Sequence, residues 1–402
     1  MTPTLKLLLL LIAACGSVGA AESVRPAGWR GDGSGQYPSA DPVARWKAEE
    51  NVLWKCEVGK GHSSPIVVGS RVFVTCEPDE LVCLDAETGR ELWRKAHKLA
   101  DVSAEAAAKG ARHSSQYGDA NPTPVSDGTW VWVFLGTGIV ACHDLEGKSR
   151  WMHWYDVRRT TSYGRTASPV LVGDRLLVHF GRLVCLDTAT GKLLWKNNEA
   201  RASYGTPAVA RLGDVDVVVT PKGQVVRVAD GKTLAADLGN CMYTSPVVHD
   251  GIVYFIDGTM TAARLPEKAA ERIECKELWI SDLDGEFFAS PVVHGGRVYT
   301  VDKAARYYVV DASTGRTVLN KKLALAPAIR ADSASAYPSL CLAGKHLFIG
   351  NDAGDTIVLE PGDAGVAVGS GSLPGGSGGT LAFSGRRVFA RGGKLLYCLA
   401  AP

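Results

Sequence analysis

What this chain lacks narrows its reading before any motif is weighed. Lysine plus arginine total 44 against 42 acidic residues, a formal net charge of +2. With no basic run along the chain, nucleic acid is excluded as the main partner. No apolar run reaches the length of a membrane-spanning helix. There is no Cys-x-x-Cys and no adjacent Cys-Cys pair among the ten cysteines. A His-Glu-x-x-His zinc motif and a phosphate-binding loop are also missing. Apolar residues make up 46% and charged residues 21%, so a core can form and disorder is not expected.

What is present at the start is a targeting segment. Lys6 supplies a small positive region, and Leu7 to Ala14 form an apolar stretch of eight residues, too short to span a bilayer. Two exits compete. Val18-Gly19-Ala20 fits cleavage after a small residue, which would release a soluble protein. Ile12-Ala13-Ala14-Cys15 resembles a lipobox, which would leave the protein anchored through Cys15. Either route exports the chain to the periplasm or cell envelope, and only lipidation at Cys15 would tie it to a membrane. Export permits disulfides, but Cys83, Cys142, Cys185 and Cys398 occupy equivalent repeat positions. Those four are expected to be small hydrophobes inside sheets. The pairing of Cys56, Cys76, Cys241, Cys275 and Cys341 stays open.

The rest of the chain is organised around a repeated sentence. LVCLDAETGRELWRK (Leu81 to Lys95) reads as a strand, a turn with Gly89 at positive φ, and a second strand. It returns as LVCLDTATGKLLWK (Leu183 to Lys196), with looser copies ending at Trp151, Ala235 and Leu319. Upstream of each copy lies a hairpin, usually opened by a Ser/Thr-Pro step, as in SSPIVVGSRVFVT from Ser63 and ASPVVHGGRVYTV from Ala289. Proline is tolerated at the first residue of a strand because its missing N–H lies outside the ladder. Eight openings recur 38 to 59 residues apart. Four short antiparallel strands at that period predict an all-β, eight-bladed β-propeller. The last unit lacks a fourth strand, and the orphan stretch NVLWKCEV (Asn51 to Val58) is expected to complete it and remove the open edge. The expected organisation is a signal peptide over 1–20, a leader over 21–50 packed against the ring, and the propeller over 51–402. One insertion breaks the period after Trp93. There Ser103 caps a short Ala-rich helix ended by Gly110.

The sentence LDAETGRELWR resembles the repeat of the pyrroloquinoline-quinone (PQQ) dehydrogenases and of the BamB-like propellers. WRGDGSGQYP (Trp29 to Pro38), NVLWK and GHSSPIV further resemble exported bacterial PQQ-like repeat proteins. The resemblance covers roughly residues 28–402. It implies that Trp54, Trp93, Trp151, Trp195 and Trp279 pack between neighbouring blades. Its enzymes use a vicinal disulfide, a carboxylate and amide set for calcium, and an aspartate base around the quinone. No Cys-Cys pair stands here, and no aligned carboxylate cluster is identifiable.

Propeller topology gathers the residues just ahead of each opening at one mouth of the central channel. These are His62, Asn121, Arg165, Tyr204, Tyr243 and Phe288, with Tyr117, Tyr163, Phe287 and Tyr337 nearby. An aromatic ring of this kind with a histidine and an arginine could hold a flat ligand or a peptide edge; the alternative is that the rings simply fill the channel. The candidate ligand-binding set is His62, Tyr117, Arg165, Tyr204, Tyr243 and Phe288. Asp119, Asp282, Asp284 and Glu286 read as solvated turn formers. Gly375 to Gly379 matches Gly-x-Ser-x-Gly, but it precedes a strand inside a glycine-rich loop and so cannot be a nucleophile elbow. No catalytic residue and no metal set is assigned. The expected function is a non-catalytic binding or scaffolding module, with a protein or small molecule at the channel mouth. Two alternatives stand: a PQQ-dependent dehydrogenase with quinone and calcium, and a BamB-like factor in outer-membrane protein assembly.

Overall fold

A computed structural model describes residues 26–109, 118–156, 164–202, 204–325 and 335–401. It is an eight-bladed propeller of antiparallel sheets. The first blade shows the plan: Ile66–Val68 innermost, then Arg71–Cys76, Glu80–Asp85 and Glu91–Ala96 outermost. The two middle strands are buried on both faces, since each blade is sandwiched between two others. They therefore read as continuous apolar runs and do not alternate. As expected, Val52–Glu57 pairs antiparallel with Leu395–Leu399 and supplies the outermost strand of the eighth blade.

Each outermost strand carries a register shift at the same place, between Cys83 and Leu84 on the inner partner in the first blade and between Val52 and Trp54 in the eighth. A bulge re-aims the side chain that follows it, and here it turns the tryptophan toward the next blade. Trp54, Trp93, Trp151, Trp195 and Trp279 each donate the indole N–H to a backbone carbonyl one blade on: Ala86, Leu145, Thr188, Val228 and Ala312, at 2.9–3.2 Å. Each indole also lies over the turn glycine of that blade. Gly89 has φ 72°, and a Cβ there would stand 2.5 Å from Trp54. The glycine of the repeated sentence is thus required twice, by its backbone and by the ring above it.

The leader does more than pack against the ring. Ala27 pairs with Ser126 on the innermost strand of the second blade. The chain then crosses the channel. The guanidinium of Arg30, 1% exposed, donates to the carbonyls of Pro291 and Leu340 in the sixth and seventh blades, at 2.6 and 2.8 Å. Gln36–Tyr37 next adds a parallel fifth strand beside Cys341–Ala343. Leaving past the hairpin turns at Gly344 and Gly385, the leader reaches the rim, where Trp46 pairs with Gly371. The seventh blade's outer strand, Ala367–Ser372, has no tryptophan of its own. Trp46, 2% exposed, packs over Gly371 and against Phe348 within the core between the seventh and eighth blades.

All nine cysteines among the described residues are free. Cys83, Cys142, Cys185 and Cys398 are fully buried, as small core residues should be. In the insertion, Ala104–Lys109 is helical and Ser103 Oγ accepts from the Ala106 N–H at 3.0 Å. Gly110 lies outside the described residues, as do residues 1–25.

Candidate functional site at the channel mouth

Eight hydroxyls fix the frame of the mouth. The residue opening each blade donates its backbone N–H to the side-chain oxygen of the corresponding residue in the next blade. The order is Ser64, Thr123, Ser168, Thr206, Ser245, Ser290, Ser339 and Thr380, with distances of 2.9–3.1 Å. Thr380 then donates to Ser64 Oγ at 3.0 Å and closes the circle. All eight are buried. A buried N–H without a partner costs about 1–3 kcal/mol, so the belt both satisfies the strand starts and locks neighbouring blades in register. The Ser/Thr ahead of proline was visible in the sequence, but only its proline carried meaning there.

Above the belt lies a cavity of about 320 Å³. Its floor is Trp29, which the leader carries into the channel between this cavity and a second one on the far side. One wall is aromatic. Tyr204, Tyr243, Phe288 and Tyr337 follow one another from the connections into the fourth to seventh blades. Their successive ring centroids stand 5.5, 4.7 and 4.5 Å apart, with planes inclined by 28°, 56° and 34°. All four rings are half-buried. Thr166 Oγ1 donates to the Tyr204 carbonyl at 2.9 Å and holds the start of this arc. The channel is therefore closed by the leader below the mouth, and the aromatic residues line the space above it.

The opposite wall is polar, formed by His62, Asn121, Thr123, Thr166 and the loop Gly376 to Gly378. His62 Nδ1 accepts from the Gly378 N–H at 3.1 Å. Burial, reinforced by the positive charge of Arg391, pushes the imidazole down to about 4, so it is neutral at pH 7. Asn121 is 6% exposed, and its side-chain N–H donates to the Gly118 carbonyl at 3.2 Å. Its Oδ1 accepts no hydrogen bond among the described residues. Lys303 pairs with Glu286 at 3.2 Å and sits 5.5 Å over the Phe288 ring. Asp352 accepts the Ser335 N–H at 2.7 Å, and burial raises its carboxyl above the usual range.

Four members of the sequence-based set, His62, Tyr204, Tyr243 and Phe288, do come together here. Arg165 does not. It is buried behind the wall, where burial lowers its guanidinium against the opposing charge of Asp119, and Thr166 takes its place at the cavity. Asp119 is accordingly 2% exposed and not a solvated turn residue. Phe287 faces the core against Tyr308. Tyr117 and Tyr163 lie outside the described residues. Trp29 and Lys303 were missed: the first because nothing local says the leader enters the channel, the second because it sits in an ordinary turn.

These donors do not suit calcium. Glu286 is engaged by Lys303, Asp352 by a backbone N–H, and no three His, Cys, Asp or Glu side chains among the described residues are grouped to hold a metal ion. The described residues therefore do not fit the calcium-supported quinone site of the dehydrogenases.

The family model described as outer membrane protein assembly factor BamB matches residues 42–270 and 269–398. The chain belongs to this family of BamB-like, PQQ-type repeat propellers. It is 27% identical over 217 residues to a quinoprotein ethanol dehydrogenase of Pseudomonas aeruginosa, covering 46% of this chain and 32% of that protein. With BamB of Yersinia pestis it shares 27% identity over 243 residues, 53% of this chain and 58% of that one. The matched region is thus less than two thirds of either relative. Among solved structures, BamB from Moraxella catarrhalis superposes with a TM-score of 0.61 at 11% identity, over 87% of this chain and 99% of that one. A europium-containing methanol dehydrogenase gives 0.61 at 13% identity, over 90% and 89%. At such identities these superpositions establish the propeller fold alone.

Proposed function

We propose that this protein is an exported, non-catalytic binding or scaffolding module that engages its ligand or partner at the channel mouth. The observation that carries the reading is the mouth itself. Four aromatic rings face a polar wall across a cavity closed below by Trp29, on a frame locked by a closed belt of hydroxyls. A rigid frame holding an amphipathic concavity is what a binding site needs. Among the described residues, no nucleophile, base and orienting partner is assembled there in the sense catalysis demands. Export rests on the apolar N-terminal segment and on the cell-envelope role named for the BamB relatives.

Family membership favours one form of this reading, assistance to outer-membrane protein assembly, with an extended polypeptide as partner. A photo-crosslinking residue tests both. Placed at Met242, exposed in the connection into the fifth blade, it reports the mouth; placed at Leu193, exposed on the third blade's outer strand, it reports the rim. The mouth reading expects an adduct from Met242 in envelope extract and none from Leu193, read by intact mass. Adducts from the rim alone would overturn it and favour an edge-binding assembly factor.

A further inference from the structure

We infer that the mouth takes a neutral, polyhydroxylated ring, a pyranose of one or two sugar units; this rests on the mouth-binding reading above. Three observations converge on that chemistry. First, the cavity is two-faced. Among the described residues, the aromatic arc offers ring faces on one side, while His62, Asn121, Thr123 and Thr166 offer hydrogen-bonding groups on the other. A flat aromatic ligand is best held in a slot between parallel rings. Successive planes here incline by 28° to 56° along a single curved wall. Such a wall suits the C–H face of a puckered ring, whose hydroxyls then point away from it.

Second, the charges are already matched. Lys303 stands beside Glu286, Arg165 is buried beside Asp119, and His62 is neutral. Among the described residues an anionic ligand would find no uncommitted cation at the cavity, and its own desolvation would go uncompensated. Third, Asn121 Oδ1 is a buried acceptor that no described residue satisfies. Its amide N–H is committed to the Gly118 carbonyl, which fixes the orientation of the side chain and leaves the oxygen to receive a donor. A hydroxyl supplies that donor. The carboxylates and carbonyls of a quinone would oppose the oxygen with further acceptors. At about 320 Å³ the cavity lies at the small end of ligand sites, which run from about 300 to 1,000 Å³.

The test titrates the full mature chain with cellobiose, chitobiose and maltose to about 10 mM, the range of weak saccharide affinities. Binding is followed by saturation-transfer NMR and by tryptophan fluorescence, to which Trp29 contributes. The expected result is saturable binding of at least one disaccharide, weakened about tenfold or more by Tyr243→Ala and by Asn121→Ala, and unchanged by Leu193→Ala on the rim. Melting temperatures establish that each variant is folded, and the near-isosteric Asn121→Leu, which also lacks the acceptor, serves if the alanine variant is not. No binding of any of the three by the folded protein, or binding equal in all variants, overturns the inference. The two readings fail separately. A mouth adduct from Met242 with no saccharide binding overturns the sugar assignment and leaves the mouth-binding reading standing.

Discussion

Acid should unfold this propeller well before its carboxylates are protonated, and three histidines set the size of the effect. His143 and His179 are buried and His62 is half-buried, and desolvation is the first cause that lowers each: His62 to about 4, His143 to about 3 and His179 to about 4. His143 and His97 form a buried pair between the first and second blades, with Nε2 to Nε2 at 2.9 Å. His97 Nδ1 lies 2.9 Å from the Asp79 carbonyl and must donate to it, which makes His97 Nε2 the acceptor and His143 Nε2 the donor. A proton on either ring would then have to settle in a site shaped for the neutral pair. Histidines with a depressed folded-state pKa stabilise fully above the unfolded value of about 6.5 and lose that contribution as pH falls below it. At pH 5.5 the unfolded chain binds close to one proton per histidine and the folded chain almost none. That costs about 1.4 kcal/mol each, or about 4 kcal/mol for the three. The sum depends little on how far below 5.5 the folded values lie. His97 is lowered too, first by burial, and adds in the same direction.

The assay is urea unfolding followed by tryptophan fluorescence at pH 7.5, 6.5 and 5.5, at fixed ionic strength. Stability should be nearly flat from 7.5 to 7 and fall by several kcal/mol by 5.5. His143→Gln keeps an N–H donor toward His97 and removes the titrating ring, so its acid slope should be shallower by about 1.4 kcal/mol per pH unit. A flat profile down to 5.5 would refute the argument, as would a glutamine variant with the parental slope.

Ser290→Ala breaks one link of the belt and strands the buried Ser245 N–H, so stability should drop by about 1–3 kcal/mol in chemical denaturation. Trp46→Ala removes a buried ring from the interface of the seventh and eighth blades. It should cost about 3–5 kcal/mol, where Trp29→Ala, at the half-buried cavity floor, costs less. Gly89→Ala meets both a positive φ and the Trp54 ring, and should lower the melting temperature while leaving the mouth intact. PQQ added at micromolar concentration with and without calcium should produce no saturable, calcium-dependent quenching; one site per chain would reinstate the quinone.

The blade count, the closing strand and the interblade tryptophans were legible because each is written many times. A repeat averages out local ambiguity, so Leu81 to Lys95 and its copies fix strand, turn and tryptophan together. Trp46 was not legible, although the gap it fills was: the seventh blade's outer strand reads AVGSGS, with glycines where a ring belongs. Nothing near Trp46 in sequence says which blade it will meet, because that contact joins residue 46 to residue 371. Trp29 was hidden for the same reason, and Arg30 bonds across 261 and 310 residues. At the mouth, position in the repeat places His62, Tyr204, Tyr243 and Phe288 on the cavity. It failed for Arg165, which lies one residue from the cavity wall but turns inward to Asp119. Repeat position fixes where a backbone stands; which way a connection's side chain faces depends on its neighbours in the ring.

That division has a consequence for where function resides. The belt uses backbone N–H groups and hydroxyls, and the tryptophan bonds use backbone carbonyls, so the frame makes few demands on the residues of the connections. Side chains at Tyr204, Tyr243, Phe288 and Tyr337 are therefore not required for closing the ring, and an aromatic at four successive connections needs another explanation. Channel filling is a poor one, because Trp29 and the leader already close the channel beneath them and the rings still border an open cavity. If the rings mainly stabilised the fold, Tyr243→Ala would cost stability like any core truncation, about 3–5 kcal/mol for a buried aromatic. As a half-buried wall residue of a binding site it should cost little in urea unfolding and most of the affinity in titration. Measuring both on the same variant separates the two roles, and a large stability loss with unchanged binding would return the arc to the scaffold.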